Sequence, residues 1–228
     1  MKTAFLSFCM ALISLCAFAE VKPLAEPWLK EGETLLCFGD SLTAGKAGYM
    51  KYLTQRLEAK GIKVIRGGLS GDKTPMALTR IKQDVADKNP DAVFFFFGTN
   101  DAVIGRGRWS DEPVVSPITY RDNLVWMIHY LKLKTKIRKF SIATIAGRPE
   151  GKHYLEYGNI RDEYFKMARE AADMTGAVLV PLDTETDYIR DAMQPNEKGL
   201  KLTLDGIHFS AKGCEILADI MLKYWNLQ

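Results

Sequence analysis

Apolar residues in this chain fall into short continuous runs separated by longer segments with helical spacing. Thr34 to Phe38 is the first apolar run and reads as a buried strand. Ala47 to Lys60 follows, with Tyr49, Leu53 and Leu57 at helical intervals, and Gly61 marks its end. Val64-Ile65 is a short second strand before the glycine-rich turn Gly67 to Asp72, and Thr74 to Asp87 reads as a helix. Ala92 to Phe97 is the third strand. Its four consecutive phenylalanines cannot alternate between a wet and a dry face, so both faces must be covered, as in the centre of a parallel sheet. After a long connection, a helix is expected from about Pro117 to Lys134, and a fourth strand from Phe140 to Ile145. Ile160, Tyr164, Met167, Ala168 and Ala171 form a helical stripe. Ala177 to Val180 is the fifth strand, an irregular polar stretch leads to Asp205, and Ala211 to Trp225 closes the chain as a helix. Strands alternating with helices imply an α/β fold with a parallel sheet and right-handed crossovers.

The N-terminus departs from this alternation. A short positive start is followed by the apolar run Ala4 to Phe18 and by the small-x-small pattern Ala17-Phe18-Ala19. This is the pattern of a cleaved export signal over residues 1–19, leaving a single domain over 20–228 in the periplasm or outside the cell. An uncleaved membrane anchor and a lipid anchor at Cys16 are the alternatives. The anchor is disfavoured by the shortness of the run, and the lipid anchor by the bulky Leu15 before the cysteine. No later stretch is long and apolar enough for a bilayer helix, so no stable membrane insertion is expected after cleavage. Cys37 and Cys214 are read as two buried thiols, with a bridge as the alternative that an oxidising compartment permits.

A formal charge of +3 over 228 residues gives no case for nucleic acid as a partner. The cationic run Lys132 to Lys139 is explained by a solvated helix end. His129, within a helix, is expected to pack rather than to bind a ligand. Three scattered histidines and no Cys/His cluster indicate neither a metal site nor a cofactor. Gly39 to Lys46 has the wrong spacing for a phosphate-binding loop, and no Gly-x-Ser-x-Gly elbow is present.

Chemistry gathers at the ends of the strands. Ser41, Gly71 and Asn100 each follow a different parallel strand and so share the C-terminal edge of the sheet, where open α/β folds bind ligands. The loop before the last helix can bring Asp205 and His208 to the same edge. Ser41 is then the candidate nucleophile, His208 its base, and Asp205 the group that orients the imidazole. The backbone N–H groups of Ser41 and Gly71 and the amide of Asn100 are candidate oxyanion donors. Asp40 is expected to support the nucleophile turn, and Asp72 and Asp101 to order their own loops.

At these residues the chain resembles the SGNH, or GDSL-type, hydrolase family. Four blocks occur in order: Gly39-Asp40-Ser41-Leu42, the glycine turn ending in Gly71, Gly98-Thr99-Asn100-Asp101, and Asp205-Gly206-Ile207-His208. Arg66 departs from the pattern, since relatives often place asparagine before the glycine turn. The resemblance implies a three-layer flavodoxin-like sandwich with five parallel strands in the order 2-1-3-4-5. It also implies metal-free ester hydrolysis through an acyl-enzyme, with these residues in the roles given above.

The substrate is expected to be a small-molecule or glycan ester, with a carbohydrate O-acetyl ester first. A lysophospholipase or thioesterase acting on lipid acyl chains is the alternative, and a non-catalytic glycan-binding protein the third reading. Arg106, Arg108 and Trp109, in the connection that begins beside Asn100, and His153 after the fourth strand are the candidate substrate contacts. Surface anchoring and solvation explain Trp109 and the arginines equally well. The oligomeric state is left open.

Overall fold

A computed structural model describes residues 20–103, 114–151 and 160–228 of the chain. Five strands form one parallel sheet: β1 (Thr34–Gly39), β2 (Lys63–Gly68), β3 (Ala92–Phe96), β4 (Lys139–Ala143) and β5 (Val178–Val180), in the order β2-β1-β3-β4-β5. Among the described residues the α-helices are α1 (Ser41–Ala44), α2 (Tyr49–Glu58), α3 (Thr74–Asp84), α4 (Pro117–Lys134), α5 (Ile160–Thr175), α6 (Leu182–Asp191) and α7 (Ala211–Tyr224). The strand order is the one that the family resemblance implies.

Strict alternation along the central strands divides the core in two. Leu35, Cys37, Phe94 and Phe96 face α2 and α7, meeting Leu53, Leu57, Leu217 and Met221. Leu36, Phe38, Phe95 and Phe97 face the opposite way, toward α3, α4 and α5, and meet Ala77, Leu124, Ile128 and Ala168. The four phenylalanines thus supply both layers, each worth roughly 1.5–3 kcal/mol of burial. Cys37 and Cys214 are buried free thiols, as the first reading of them holds.

The nucleophile region differs from the expected single helix. Asp40 caps the one-turn helix α1 by accepting from Leu42 N–H at 2.9 Å, and α2 begins only at Tyr49 after Gly48. β2 also runs three residues beyond Ile65, because Arg66, Gly67 and Gly68 keep pairing with β1 as far as Gly39. A Cβ on Gly68 would lie 2.2 Å from the Ala44 nitrogen, and one on Gly39 would lie 2.2 Å from Thr43 Oγ1. Bare backbone is therefore what lets α1 lie against the strand ends.

Two further differences have physical causes. α6 occupies part of the stretch expected to be irregular. Two of its three buried residues, Asp183 and Thr186, are polar, and only Leu182 is apolar, so no apolar stripe marks it. Asp183 is held there by Arg169 at 2.9 Å and by the Thr144 hydroxyl at 2.8 Å. His129 is exposed rather than packed, because Leu124, Met127, Ile128 and Leu131 fill the inward face of α4.

Candidate active site

The parallel register brings the strand ends level and places the predicted residues together. Ser41 is the first residue of α1, where its N–H has no carbonyl one helical turn earlier to bond. Its Oγ lies 3.2 Å from His208 Nε2. On the far side of the ring, Nδ1 lies 2.8 Å from Asp205 Oδ2. With the ring hydrogen on Nδ1 donated to Asp205, Nε2 is left to accept the serine hydroxyl hydrogen.

Asp205 is itself oriented by its own turn. Its Oδ1 accepts from the N–H groups of Ile207 at 2.9 Å and His208 at 2.7 Å. Burial raises its carboxyl, but the His208 ring bond and these two N–H groups outweigh that and hold it below the ordinary aspartate value. It therefore stays ionised beside the imidazole at neutral pH.

Asn100 lies beyond β3 and is buried. Its amide nitrogen donates to the Asp72 carbonyl at 2.9 Å and to Asp40 Oδ2 at 3.2 Å. Asp40 is nearly inaccessible. Burial pushes its carboxyl up to about 7, against the opposing Leu42 N–H bond and with the help of nearby Asp101. Gly71 stands in the β2–α3 loop at φ 79°, in the left-handed region that suits glycine. Leu69 N–H reaches Gly39 O at 3.0 Å and ties that loop to the end of β1.

Asp72 and Asp101 tie their loops to α3. Asp101 Oδ1 accepts from Thr74 N–H at 2.9 Å and from the Thr74 hydroxyl. Asp72 pairs with Arg80 of α3 at 2.6 Å.

Arg80 is a site-organising residue that sequence reasoning missed. Its guanidinium also donates to Asp84 at 2.8 Å, and to the carbonyls of Gly67 and Gly39, each at 3.0 Å. Its Cζ lies 4.2 Å from the Phe38 ring centroid. One side chain thus joins β1, β2 and α3 beneath the nucleophile turn. The available signal was its position three residues after Ala77 on the inward edge of a helix.

Glu150, also missed, performs the corresponding task for the histidine loop. Its buried carboxylate accepts from the N–H groups of Lys201, Leu202 and Thr203, and from the Thr203 hydroxyl at 2.5 Å. Its own N–H donates to Gly206 O at 3.0 Å, and Gly206 N–H returns to Thr203 Oγ1 at 3.1 Å. Burial raises the Glu150 carboxyl, but the Thr203 hydroxyl and the three N–H groups prevail and leave it lowered. Leu204 N–H then bonds His208 O at 2.7 Å, passing the restraint on to the histidine.

Arg106, Arg108, Trp109 and His153 lie outside the described residues. Among the described residues no helix is long and apolar enough to cross a membrane.

The chain has relatives in sequence and in structure. The acetylxylan esterase of Geobacillus stearothermophilus is 27% identical over 212 residues, covering 84% of this chain and 93% of that one. The lipoprotein YqeF of Bacillus subtilis (strain 168) is 33% identical over 139 residues, and the match spans 55% of this chain and about half of YqeF, 54%. In structure, the chain is similar to Axe2, an acetylxylan esterase from Geobacillus stearothermophilus, with TM-score 0.74, 24% identity and coverage of 88% of this chain and 97% of Axe2. It is also similar to LAE5, an alpha/beta hydrolase enzyme from the metagenome of Lake Arreo, Spain, with TM-score 0.72, 21% identity and coverage of 89% and 99%. These structural likenesses concern the fold. Residues 37–216 match the GDSL-like Lipase/Acylhydrolase family, and the chain belongs to that family of ester hydrolases.

Proposed function

We propose that the protein is an exported carbohydrate O-acetyl esterase working through a Ser41 acyl-enzyme. The observation that carries this reading is the continuous hydrogen-bonded chain from Asp205 through His208 to Ser41. Ser41 Oγ attacks the acetyl carbonyl while His208 Nε2 takes its proton. His208 then gives the proton to the departing alkoxide, and water attacks the acyl-enzyme by the same route in reverse. Asp205 holds the tautomer and stabilises the imidazolium.

The negative oxygen of the tetrahedral intermediate is received by the N–H groups of Ser41 and Gly71 and by the Asn100 amide. The Asn100 hydrogen that now reaches Asp40 at 3.2 Å turns to the oxyanion. A carbohydrate ester is supported by the acetylxylan esterase relative, which spans 84% of this chain. Export is supported by the signal pattern of residues 1–19, which lie outside the described residues, and by the lipoprotein relative.

The test is hydrolysis of p-nitrophenyl esters of graded acyl length, together with acetate release from acetylated xylo-oligosaccharides. Wild-type protein is expected to favour acetate, and Ser41→Ala to lose about 10⁴-fold or more in kcat while keeping its circular dichroism spectrum. Hydrolysis by Ser41→Ala at the wild-type rate would refute the mechanism. A preference for octanoyl esters would refute the acetyl assignment alone.

A further inference from the structure

The catalytic groups do not account for an apolar groove of about 580 Å³ that opens beside Ser41 and His208. Leu42 and Ala47 wall it on the nucleophile side, Leu204 and Phe209 on the histidine side, and Leu217 of α7 lies at its base. Leu204, on the rim, is 64% exposed.

The groove lies on the face of the sheet covered by α2 and α7. The candidate oxyanion donors lie on the other side of Ser41, where Asn100 meets Asp72 at the start of α3. That separation decides which part of an ester the groove can receive. In the tetrahedral intermediate the carbon bears Ser41 Oγ, the oxyanion, the acyl carbon and the leaving oxygen. The oxyanion must face Gly71 and Asn100. The leaving oxygen must come within hydrogen-bond reach of His208 Nε2, because that nitrogen supplies the proton as the carbon–oxygen bond breaks. Whatever is attached to the leaving oxygen therefore extends past His208, between Leu204 and Phe209.

We infer that this groove is the alcohol subsite, and that it selects esters whose alcohol half presents an apolar surface next to the ester oxygen. An alkyl or aryl group there, or the C–H face of an acetylated sugar ring, would displace water from the groove. The inference rests on the Ser41–His208 reading and adds to it which half of the substrate is recognised by apolar contact. A small acyl group and an apolar alcohol are independent demands, since they occupy different directions from the same carbon.

Two ester series separate them: alkyl acetates from ethyl to hexyl, and ethyl esters from acetate to hexanoate, each with wild type, Leu204→Asn and Ser41→Ala. In the first series kcat/KM is expected to rise about twofold to fourfold per methylene. The second series should show no rise. Leu204→Asn should compress the hexyl-to-ethyl ratio in the first series toward 1. Ser41-dependent hydrolysis that is flat in alcohol length, or that climbs with acyl length instead, overturns the subsite and leaves the triad standing. Absence of Ser41-dependent hydrolysis in both series removes the mechanism and the subsite together.

Discussion

The nucleophile half and the histidine half of the site are built by different means. Ser41, Asp40 and Asn100 sit on the ends of central strands, over two apolar layers, with Arg80 tying the carbonyls of Gly39 and Gly67 from below. His208 and Asp205 sit on a loop outside the sheet, with side chains 50% and 53% exposed. Their loop is held by one buried carboxylate, Glu150, from the segment after β4. The contrast teaches that comparable hydrogen-bond geometry can rest on unequal support. Packing and backbone pairing fix one partner, and a single charged hub fixes the other.

The largest effect that would sharpen this contrast is at Asn100. If the nucleophile half is preorganised for an oxyanion, Asn100→Ala should lower kcat about 10²–10³-fold, with KM little changed. Steady-state kinetics on p-nitrophenyl acetate measure it, and a loss confined to KM would count against the assignment.

Arg80 tests the foundation of the same half. Arg80→Ala leaves the buried Asp72 carboxylate without its guanidinium and removes the bonds to two strand ends. It should cost about 3 kcal/mol, or a fall of roughly 6–12 °C in Tm for a chain of this size. Scanning calorimetry at neutral pH gives the value, and an unchanged Tm would break the comparison.

Glu150 gives the smallest expected change in stability and the most specific signature. Glu150→Gln should destabilise by about 1–3 kcal/mol at pH 7, because an amide cannot accept four hydrogen bonds as a carboxylate does. The lowered Glu150 carboxyl contributes stability that is fully present above its ordinary value of 4.5, and that is lost as pH falls through its folded value. The Tm difference between wild type and variant should thus be widest at neutral pH and close on acidification. A gap independent of pH would show that Glu150 matters only as volume. Because the loop carries His208, kcat should fall in the same variant without a matching rise in KM.

Much of this was legible in the sequence for a simple reason. Ser41, Gly71 and Asn100 follow apolar runs, and parallel strands must end on a common edge. Asp205 and His208 are three residues apart in one turn, so their pairing is local. Glu150 and the strand-end bonds of Arg80 were not legible, because those partners are backbone groups on other elements, although Arg80 and Asp84 do stand at the i,i+4 spacing of a helical ion pair. A charge that binds carbonyls or N–H groups leaves no complementary charge in the sequence to find. α6 escaped for a related reason: its inward face is polar at Asp183 and Thr186, with Asp183 anchored through a salt bridge, so no run of apolar residues announced it.

The close approach at Gly39 and Gly68 has a consequence for how such a site can be altered. The gap between the nucleophile turn and the strand ends is already the thickness of hydrogen atoms, and a single methyl group at either glycine would collide with its neighbours. Selection for bulkier substrates, natural or in the laboratory, finds no adjustable wall there. Among the described residues, variation that reshapes the site has room across the cleft at positions such as the exposed Leu204, where a side chain can change without forcing the sheet apart.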